Sequence, residues 1–350
     1  MRLIKGLFFF LLLCSCDKNT DPANTNNEVK NGALVLCEGL FQHNNTQLSY
    51  INFENHEVEN GFFLNRVGRQ LGDTGNDIKR YGDKIYIVIN VSSTIEILDA
   101  KSFESLKQIS MMDGSTAKQP RNIDFYENHA FISCFDGYVD VIDTSSLELT
   151  QRIQVGANPD QIMVIDQKLY VSNSGGLNYP QMDSTVSIID LNSLNEIKKI
   201  DVGLNPGPIC ADDVGNAFVI SRGNYGNIPS KLIKIDTDID EISEEFNFSI
   251  SGIEKFGNKF LINFVNSGSG NNMIALFNPL NGVIEDNSFI SADQIETLYG
   301  IQYNEISDKL YLMDAMNYTN TGYVFEYDAM GNFLNSYHVG LNPSKILFFE

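Results

Sequence analysis

The chain consists of short apolar segments separated by polar turns. One apolar segment recurs seven times, as ALVLCE (33–38), KIYIVIN (84–90), AFISCF (130–135), KLYVSN (168–173), AFVISR (217–222), KFLINF (259–264) and KLYLMD (309–314). Turn signals such as YGD, DVGN and FGN precede most copies, and no stretch has the spacing of an amphipathic helix. Apolar segments of this length between turn residues predict β-strands.

A second segment follows each of six copies after a loop of variable length, and it carries a polar marker residue near its end. The markers are Asp99, Asp143, Asp190, Asp236, Asn278 and Asp328, which lie 44, 47, 46, 42 and 50 residues apart. A hairpin then adds a further strand, and the sequence VG-x-NP introduces the next unit at Pro159, Pro206 and Pro343. Proline suits this bend because it fixes φ and has no N–H that needs a partner. About four strands in roughly 40–50 residues predict a β-propeller blade.

The last repeat stops after one strand, SKILFF (344–349), and the first repeat lacks an innermost strand. ALVLCEG, TQLSYINFEN and EVENGFFL therefore predict three outer strands, which SKILFF completes. This pairing closes the ring and leaves no open sheet edge. With six internal blades, the sequence predicts an all-β fold, a seven-bladed β-propeller over residues 32–350.

The first 31 residues predict export and a lipid anchor. Arg2 and Lys5 precede the apolar run GLFFFLLL, which is too short for a stable transmembrane helix. Leu13-Cys14-Ser15-Cys16 resembles a bacterial lipobox, so residues 1–15 are interpreted as a lipoprotein signal peptide and Cys16 as the lipidated residue. Residues 16–31 then form a polar, flexible tether. We expect an exported protein held to the outer membrane by its lipid alone, at the cell surface or in the periplasmic leaflet; plain secretion is the alternative.

Charge and residue usage limit the chemistry of the chain. It holds 24 basic and 45 acidic residues, a net charge of −21, and such a surface repels nucleic acid. Cys37, Cys134 and Cys210 lack metal-ligand spacing and are predicted to be buried hydrophobic residues. DTDIDE (236–241) lacks the glycine of a calcium loop, and there is no nucleophile elbow or phosphate loop. The sequence therefore predicts no metal, no cofactor and no enzymatic activity.

A propeller sorts its loops onto two faces. Connections between the second and third strands share one face with those into the innermost strand, and here they are long, varied and rich in Tyr, Asn and Gly. Such loops on a rigid scaffold are where binding residues concentrate. The candidate ligand-binding residues are Phe41, His43, Arg121, Phe135, Asn173, Tyr179, Arg222, Asn224, Tyr225, Tyr299, Asn317 and Tyr318. Arg121 and Arg222 stand out in so acidic a chain, and either could face an anionic or amide-bearing ligand or pair with a neighbouring carboxylate.

The repeat KLYVSNSG…STVSIIDL…IKKIDVGLNP resembles the YVTN/YncE-type seven-bladed propellers. ALVLCEGLFQHNNTQLSYIN, RQLGDTGNDIKRYGDKIYIVINVSSTIEILDA and ISRGNYGNIPSKLIKID are similar to exported Bacteroidota propeller lipoproteins, a group that includes the BtuG-type cobalamin-binding proteins. The resemblance implies a surface protein that captures cobalamin, or another corrinoid, for a TonB-dependent transporter. It carries over no individual ligand residue.

Two other functions stay open at this point. A propeller lactonase or lyase needs a metal or a His/Glu pair at the centre of the ring, where His43 and Glu38 offer themselves. A structural or adhesive surface protein would instead bind a macromolecule.

Overall fold

Seven four-stranded sheets form a ring in the computed structural model, which describes residues 31–265 and 272–349. The predicted all-β, seven-bladed β-propeller is confirmed. Within these described ranges no helix is long and apolar enough to cross a bilayer. The predicted signal peptide (1–15), the lipidated Cys16 and all but the last residue of the tether (16–31) lie outside them.

The blades are numbered along the chain. Blade 1 holds β1 (Gly32–Cys37), β2 (Gln47–Asn52), β3 (Val58–Asn60) and the last strand of the chain, β30 (Pro343–Phe349). Blade 2 holds β4 (Gly75–Tyr81), β5 (Lys84–Ile89), β6 (Thr94–Asp99) and β7 (Ser105–Ser110), and the hairpin of β8 (Met112–Asp113) and β9 (Thr116–Ala117) follows it. Blade 3 holds β10 (Pro120–Tyr126), β11 (His129–Cys134), β12 (Tyr138–Asp143) and β13 (Glu148–Gln154).

The remaining four blades follow the same order. Blade 4 holds β14 (Pro159–Ile165), β15 (Lys168–Asn173), β16 (Thr185–Asp190) and β17 (Asn195–Asp201), and blade 5 holds β18 (Pro206–Ala211), β19 (Ala217–Ser221), β20 (Lys231–Asp236) and β21 (Glu241–Phe246). Blade 6 holds β22 (Gly252–Phe256), β23 (Lys259–Val265), β24 (Asn272–Asn278) and β25 (Val283–Ser291). Blade 7 holds β26 (Leu298–Asn304), β27 (Lys309–Asp314), β28 (Thr321–Asp328) and β29 (Phe333–Leu341).

The C-terminal strand closes the ring as predicted. β30 is the innermost strand of blade 1 and pairs antiparallel with β1, from Gly32↔Phe349 to Leu36↔Lys345. It also contacts the innermost strands of both neighbouring blades, β4 and β26. The incomplete first and last repeats therefore form one sheet from the two ends of the propeller.

Large aromatic residues of the second strands fill the spaces between blades. Tyr86, Phe131, Tyr170, Phe218 and Tyr311 occupy equivalent positions of the repeated segment, and each is at most 1 % exposed. Each belongs to a core cluster that joins its own blade to the next one. Burying one such side chain stabilises the fold by roughly 1.5–3 kcal/mol. The repeat is thus the sequence of a core shared between neighbours.

The polar markers of the repeat shape the turns after the third strands. Asp99 Oδ1 accepts hydrogen bonds from the N–H groups of Lys101 and Ser102, at 2.9 and 2.8 Å. Asp143 Oδ1 accepts them from Ser145 and Ser146, at 3.0 and 2.7 Å. These backbone donors lower the pKa of both carboxyls. The markers recur because they form Asx turns on the face opposite the long loops.

The outer edge of blade 1 differs from the prediction. EVENGFFL was expected to be a strand, but only Val58–Asn60 is extended, and α1 (Phe62–Val67) follows. Gly61 and Gly68 flank this helix with φ of 71° and 77°, which favours glycine. Phe62 and Phe63 are both buried in the core of blades 1 and 2. In a strand, successive side chains point to opposite faces, so two adjacent phenylalanines could not both enter one core. A helix places Phe62 and Phe63 in the same core, and the strand prediction was wrong for this segment.

Cys37, Cys134 and Cys210 are buried free thiols, as predicted. They lie in β1, β11 and β18. Burial raises the pKa of the Cys37 thiol to about 12. These cysteines therefore act as small core residues.

Candidate ligand-binding site

The long loops lie at the same end of the ring as the starts of the innermost strands, and we call this end the loop face. A central cavity of about 530 Å³ is lined by residues of all seven innermost strands or their immediate neighbours. Its charged lining residues are Glu38, Asp77, Lys79, Arg121, Arg222, Glu254 and Lys345. Four of the 24 basic residues of the chain thus meet in one space.

A β-bulge near the start of an innermost strand recurs in six blades. In blades 3, 4 and 5 the register breaks directly after Pro120, Pro159 and Pro206. Bulged residues leave the ladder, which redirects their side chains. The residues released in the six blades include Asn76, Arg121, Asp160, Gly207, Tyr299 and Ser344. The bulges therefore supply polar groups to the mouth of the cavity.

Asp160 joins two arginines at this level. Its Oδ1 accepts a hydrogen bond from Arg121 Nε at 3.2 Å, and its Oδ2 accepts one from Arg222 Nη1 at 2.9 Å. Burial by itself would raise the pKa of Asp160, but Arg121 and Arg222 outweigh it and lower that pKa. With Asp160 ionised, the three side chains carry one net positive charge.

Both guanidinium groups are held in place by further contacts. Arg121 Nη1 donates to Asn76 Oδ1 at 2.9 Å, and Arg121 Cζ lies 4.6 Å from the centre of the Phe135 ring. Arg222 lies across Gly207, where an added Cβ would be 2.2 Å from Arg222 Cζ. A glycine in β18 therefore lets Arg222 reach Asp160 in the neighbouring blade.

Two carboxyls on the opposite arc of the cavity have raised pKa values. Burial raises the pKa of Glu38, although Tyr299 Oη donates to Glu38 Oε2 at 2.7 Å. Burial also raises the pKa of Glu254 to about 7, against the opposing effect of the Tyr303 N–H at 3.2 Å. Of the two, Glu254 therefore changes its charge near neutral pH.

Exposed aromatic side chains stand on the loops around the cavity. Tyr225, Tyr179, Phe41 and Tyr318 are 76 %, 68 %, 66 % and 49 % exposed, and we call them the aromatic rim. They belong to the second-to-third-strand loops of blades 5, 4, 1 and 7. The ring of Tyr318 lies 5.8 Å from that of Tyr299 in an edge-to-face contact, which connects the rim to the cavity wall.

The structure divides the predicted site residues into three groups. Arg121, Arg222 and Tyr299 line the cavity, and Phe135 supports Arg121. The rim holds Phe41, Tyr179, Tyr225 and Tyr318.

The third group shapes the loops. Asn173 is fully buried, and its Nδ2 donates to Thr185 and Ser187, both at 2.9 Å. Asn224 Oδ1 and Asn317 Oδ1 accept hydrogen bonds from backbone N–H groups of their own loops. His43 Nδ1 lies 2.8 Å from the carbonyl oxygen of Phe41. The structure does not bring these four residues to the cavity wall.

Sequence reasoning missed Asn76, Asp160, Glu254, Asn263 and Lys345. A sequence signal was available for two of these five residues. Asp160 and Lys345 lie one and two residues after the proline of VG-x-NP, where the innermost strand bulges. Asn263 lies in the second strand of blade 6, where it pairs with Gly252 of the innermost strand, and it lines the cavity. This pairing depends on the strand register, which the sequence did not reveal.

No group of three or more His, Cys, Asp or Glu side chains is placed to hold a metal ion among the described residues. Glu38 accepts a hydrogen bond from Tyr299, and His43 lies against the backbone of Phe41. The geometry therefore gives no support to a His43–Glu38 catalytic pair.

Residues 31–245 match the model of a protein family described as "Domain of unknown function (DUF5074)". The chain belongs to this family. No curated protein matches this DUF5074 chain.

Several solved structures share the fold. A quinonprotein alcohol dehydrogenase-like protein from Bacteroides thetaiotaomicron is 16 % identical with a TM-score of 0.68, over 92 % of this chain and 79 % of that one. Hydrazine synthase from Kuenenia stuttgartiensis is 14 % identical with a TM-score of 0.55, over 75 % and 85 %. The dihydro-heme d1 dehydrogenase NirN, in complex with DHE, is 11 % identical with a TM-score of 0.55, over 91 % and 75 %. At these identities the likeness shows the propeller fold alone.

Proposed function

We propose that this DUF5074 protein binds a ligand on its loop face, and that the ligand is cobalamin or another corrinoid. In this proposal the protein is lipid-anchored in the outer membrane and supplies the ligand to a TonB-dependent transporter. The resemblance to BtuG-type propellers suggests the ligand class. The chemistry of the loop face supports it on separate grounds.

The observation that carries the proposal is an aromatic rim above a polar cavity. Tyr179, Tyr225 and Phe41 expose more than three-fifths of their surface. Below them, Arg121 and Arg222 are fixed by a shared carboxylate and keep N–H donors for another partner. Ligand sites combine apolar area for affinity with a few fixed polar groups for orientation.

A corrinoid matches this combination. It is a broad macrocycle with an apolar body and amide-bearing side chains at its edge. Rim rings contact the body, because tyrosine offers flat apolar area with a polar tip. Guanidinium groups donate to amide carbonyl oxygens without requiring a charged ligand.

Titration of cyanocobalamin into the chain from Asn31 onward, followed by calorimetry, tests the proposal. This part contains every strand of the ring. We expect saturable one-to-one binding with a Kd in the micromolar range or tighter. A folded chain that gives no heat and no co-elution at high concentration would rule out the corrinoid.

Tyr225→Asn tests the rim. Asparagine accepts the left-handed backbone of this residue, whose φ is 55°. Loss of the aromatic contact between Tyr225 and the ligand is expected to weaken binding about tenfold or more. Met330→Asn is the matched control, because Met330 has the same exposed fraction, 76 %, on a turn of the opposite face. Equal affinities of the two variants would exclude the rim from the site.

The lipid anchor has its own test. In the full-length chain, Cys16→Ala is expected to move the protein from the membrane fraction to the soluble fraction, because no acyl chain is then attached. Cys14→Ala is the control and is expected to stay with the membrane. Membrane retention of Cys16→Ala would contradict the anchor, and protease treatment of intact cells then distinguishes the two leaflets.

A further inference from the structure

Two polar residues beyond the innermost strands reach the central cavity from neighbouring blades. Gly207 of β18 leaves room for the guanidinium of Arg222, which lies directly after β19. Gly252 of β22 pairs with Asn263 of β23, and a Cβ on Gly252 would contact Asn263 Cβ at 3.6 Å. Arg222 and Asn263 both line the cavity. Blades 5 and 6 therefore present Arg222 and Asn263 on adjacent walls of the cavity.

Asn263 presents an acceptor that the described part of the chain leaves unused. The residue is 7 % exposed, and its Oδ1 is buried without a hydrogen-bond partner. Its Nδ2 donates to Ser251 Oγ at 2.9 Å, and Ser251 Oγ donates in turn to the Asn263 backbone carbonyl oxygen at 3.4 Å, which leaves Oδ1 as the free end of the amide. A buried, unpaired amide oxygen costs free energy, so this atom favours a ligand that brings a donor.

Arg222 presents donors from the neighbouring wall. Its Nη1 is committed to Asp160 Oδ2 at 2.9 Å, and Asp160 is itself 3 % exposed. A guanidinium has five N–H donors, so the side chain keeps others for a ligand. The bond to Asp160 also balances much of its charge, which favours a neutral acceptor over an anion.

We propose that Arg222 and Asn263 form a subsite for one primary carboxamide of the ligand. The carbonyl oxygen accepts a hydrogen bond from the Arg222 guanidinium, and the NH2 group donates to Asn263 Oδ1. A carboxamide carries both functions without charge. A carboxylate brings no donor to Asn263, and an ammonium group is repelled by Arg222. This inference rests on the proposed function and specifies which part of a corrinoid enters the cavity.

The affinities of the chain for two corrinoids distinguish the carboxamide subsite from corrinoid binding in general. Dicyanocobinamide carries primary carboxamides, whereas the heptamethyl ester of dicyanocobyrinic acid keeps the carbonyl groups and lacks their N–H donors. We expect the chain to bind cobinamide at least about tenfold more tightly than the ester. In Asn263→Leu this ratio is expected to fall close to one, and in Asn263→Asp, which keeps the acceptor, the preference is expected to persist.

The outcomes are distinguishable. If neither corrinoid nor cyanocobalamin binds, the proposed function and the subsite both fail. If both corrinoids bind the unmodified chain equally, the subsite fails and corrinoid capture stands. An unchanged ratio in Asn263→Leu would also overturn it.

Two control measurements remove the remaining ambiguity. Asn195→Leu, on the exposed outer strand β17, is expected to leave the ratio unchanged. Asn263→Leu removes the unpaired Oδ1 and also the Nδ2 hydrogen bond to Ser251, and because these effects oppose each other it is expected to unfold at a similar urea concentration without ligand. Ser251→Ala removes the same hydrogen bond and keeps Oδ1, so destabilisation of Asn263→Leu well beyond that of Ser251→Ala would show that Oδ1 has a partner within the fold, which overturns the subsite.

Discussion

At the scale of single residues, the cavity depends on a missing side chain as much as on charged ones. Arg222 reaches Asp160 across Gly207, and together with Arg121 they place one net positive charge where the chain as a whole is strongly acidic. The backbone of Gly207 needs no unusual φ. The glycine is required for space.

Gly207→Ala tests this requirement. The new Cβ would lie 2.2 Å from Arg222 Cζ, so the guanidinium must move and Asp160 loses a charged hydrogen-bond partner. We expect the free energy of unfolding in urea to fall by about 1.5–3 kcal/mol. Gly226→Ala, where the nearest atom is 3.5 Å away, is expected to change it by less than about 0.5 kcal/mol. Equal stability of the two variants would contradict the role of Gly207.

Glu254 gives the stability of the fold a pH dependence. Burial raises its pKa from 4.5 to about 7, so the folded state binds the proton more tightly than the unfolded state. The stabilisation is complete below pH 4.5 and is lost as the pH rises through 7, a change of roughly 3 kcal/mol. Glu254→Gln cannot ionise and is expected to lose this part of the pH dependence.

The measurement is a series of urea unfolding curves between pH 5 and 8 for both proteins. Other carboxyls titrate as well, so the difference between the two curves is the relevant quantity. Parallel pH profiles would show that Glu254 is not the group responsible.

At the scale of elements, one strand completes the propeller. β30 supplies the innermost position of blade 1, and Ile346 and Phe349 are 2 % and 6 % exposed in two different core clusters. Without it, β1 would present an unpaired edge at the axis. Its loss therefore affects the cores on both sides of blade 1.

Deletion of Pro343–Glu350 is expected to abolish cooperative unfolding or to lower the Tm by at least 10 °C, because blade 1 loses its innermost strand. A synthetic peptide of residues 343–350 is expected to restore the transition in trans. The same peptide with Ile346→Asp is the control and should not restore it, since the charge would enter a dry core. A truncated chain with an unchanged Tm would contradict the closure.

The sequence predicted the elements better than the site. The recurring apolar segments and polar markers, such as Asp99 and Asp143, predicted the blades correctly. They did so because Asx turns and cores shared between neighbours repeat along the chain. The six-residue helix α1 is too short to show a helical period, so its two adjacent phenylalanines looked like a strand. Arg121 and Arg222 could be found by their charge. Their partner Asp160 could not, because a bulge and the packing of adjacent blades decide which side chains meet.

At the scale of the whole molecule, the closing blade differs from the others by one missing turn. In blade 4, Ile165↔Lys168 flank the two-residue turn of Asp166 and Gln167. In blade 1 the pair Phe349↔Gly32 occupies the corresponding position without a covalent connection.

A circular permutant follows from this equivalence. Joining Phe349 to Gly32 by Asp-Gly and opening the chain between Asp166 and Gln167 moves the closure to blade 4. We expect the Tm to stay within about 5 °C of the original chain, because every strand pair is kept. A permutant opened inside β15, between Tyr170 and Val171, is the control and is expected to unfold at a much lower temperature. Similar Tm values for both permutants would contradict the equivalence of the blades.

The position of the Phe349↔Gly32 pair also shows on which side of the ring β1 begins. This pair lies on the side of the ring away from the loop face. The chain therefore enters the propeller at Gly32 on the side opposite the loop face. Under the proposed lipid anchor at Cys16, the aromatic rim would face away from the membrane when the protein receives ligand from outside. Under the proposed function, delivery to a transporter in the same membrane would then require the propeller to turn over. Fifteen residues, 17–31, would span roughly 50 Å if fully extended, which is long enough for the proposed capture and delivery to be two orientations of one anchored protein.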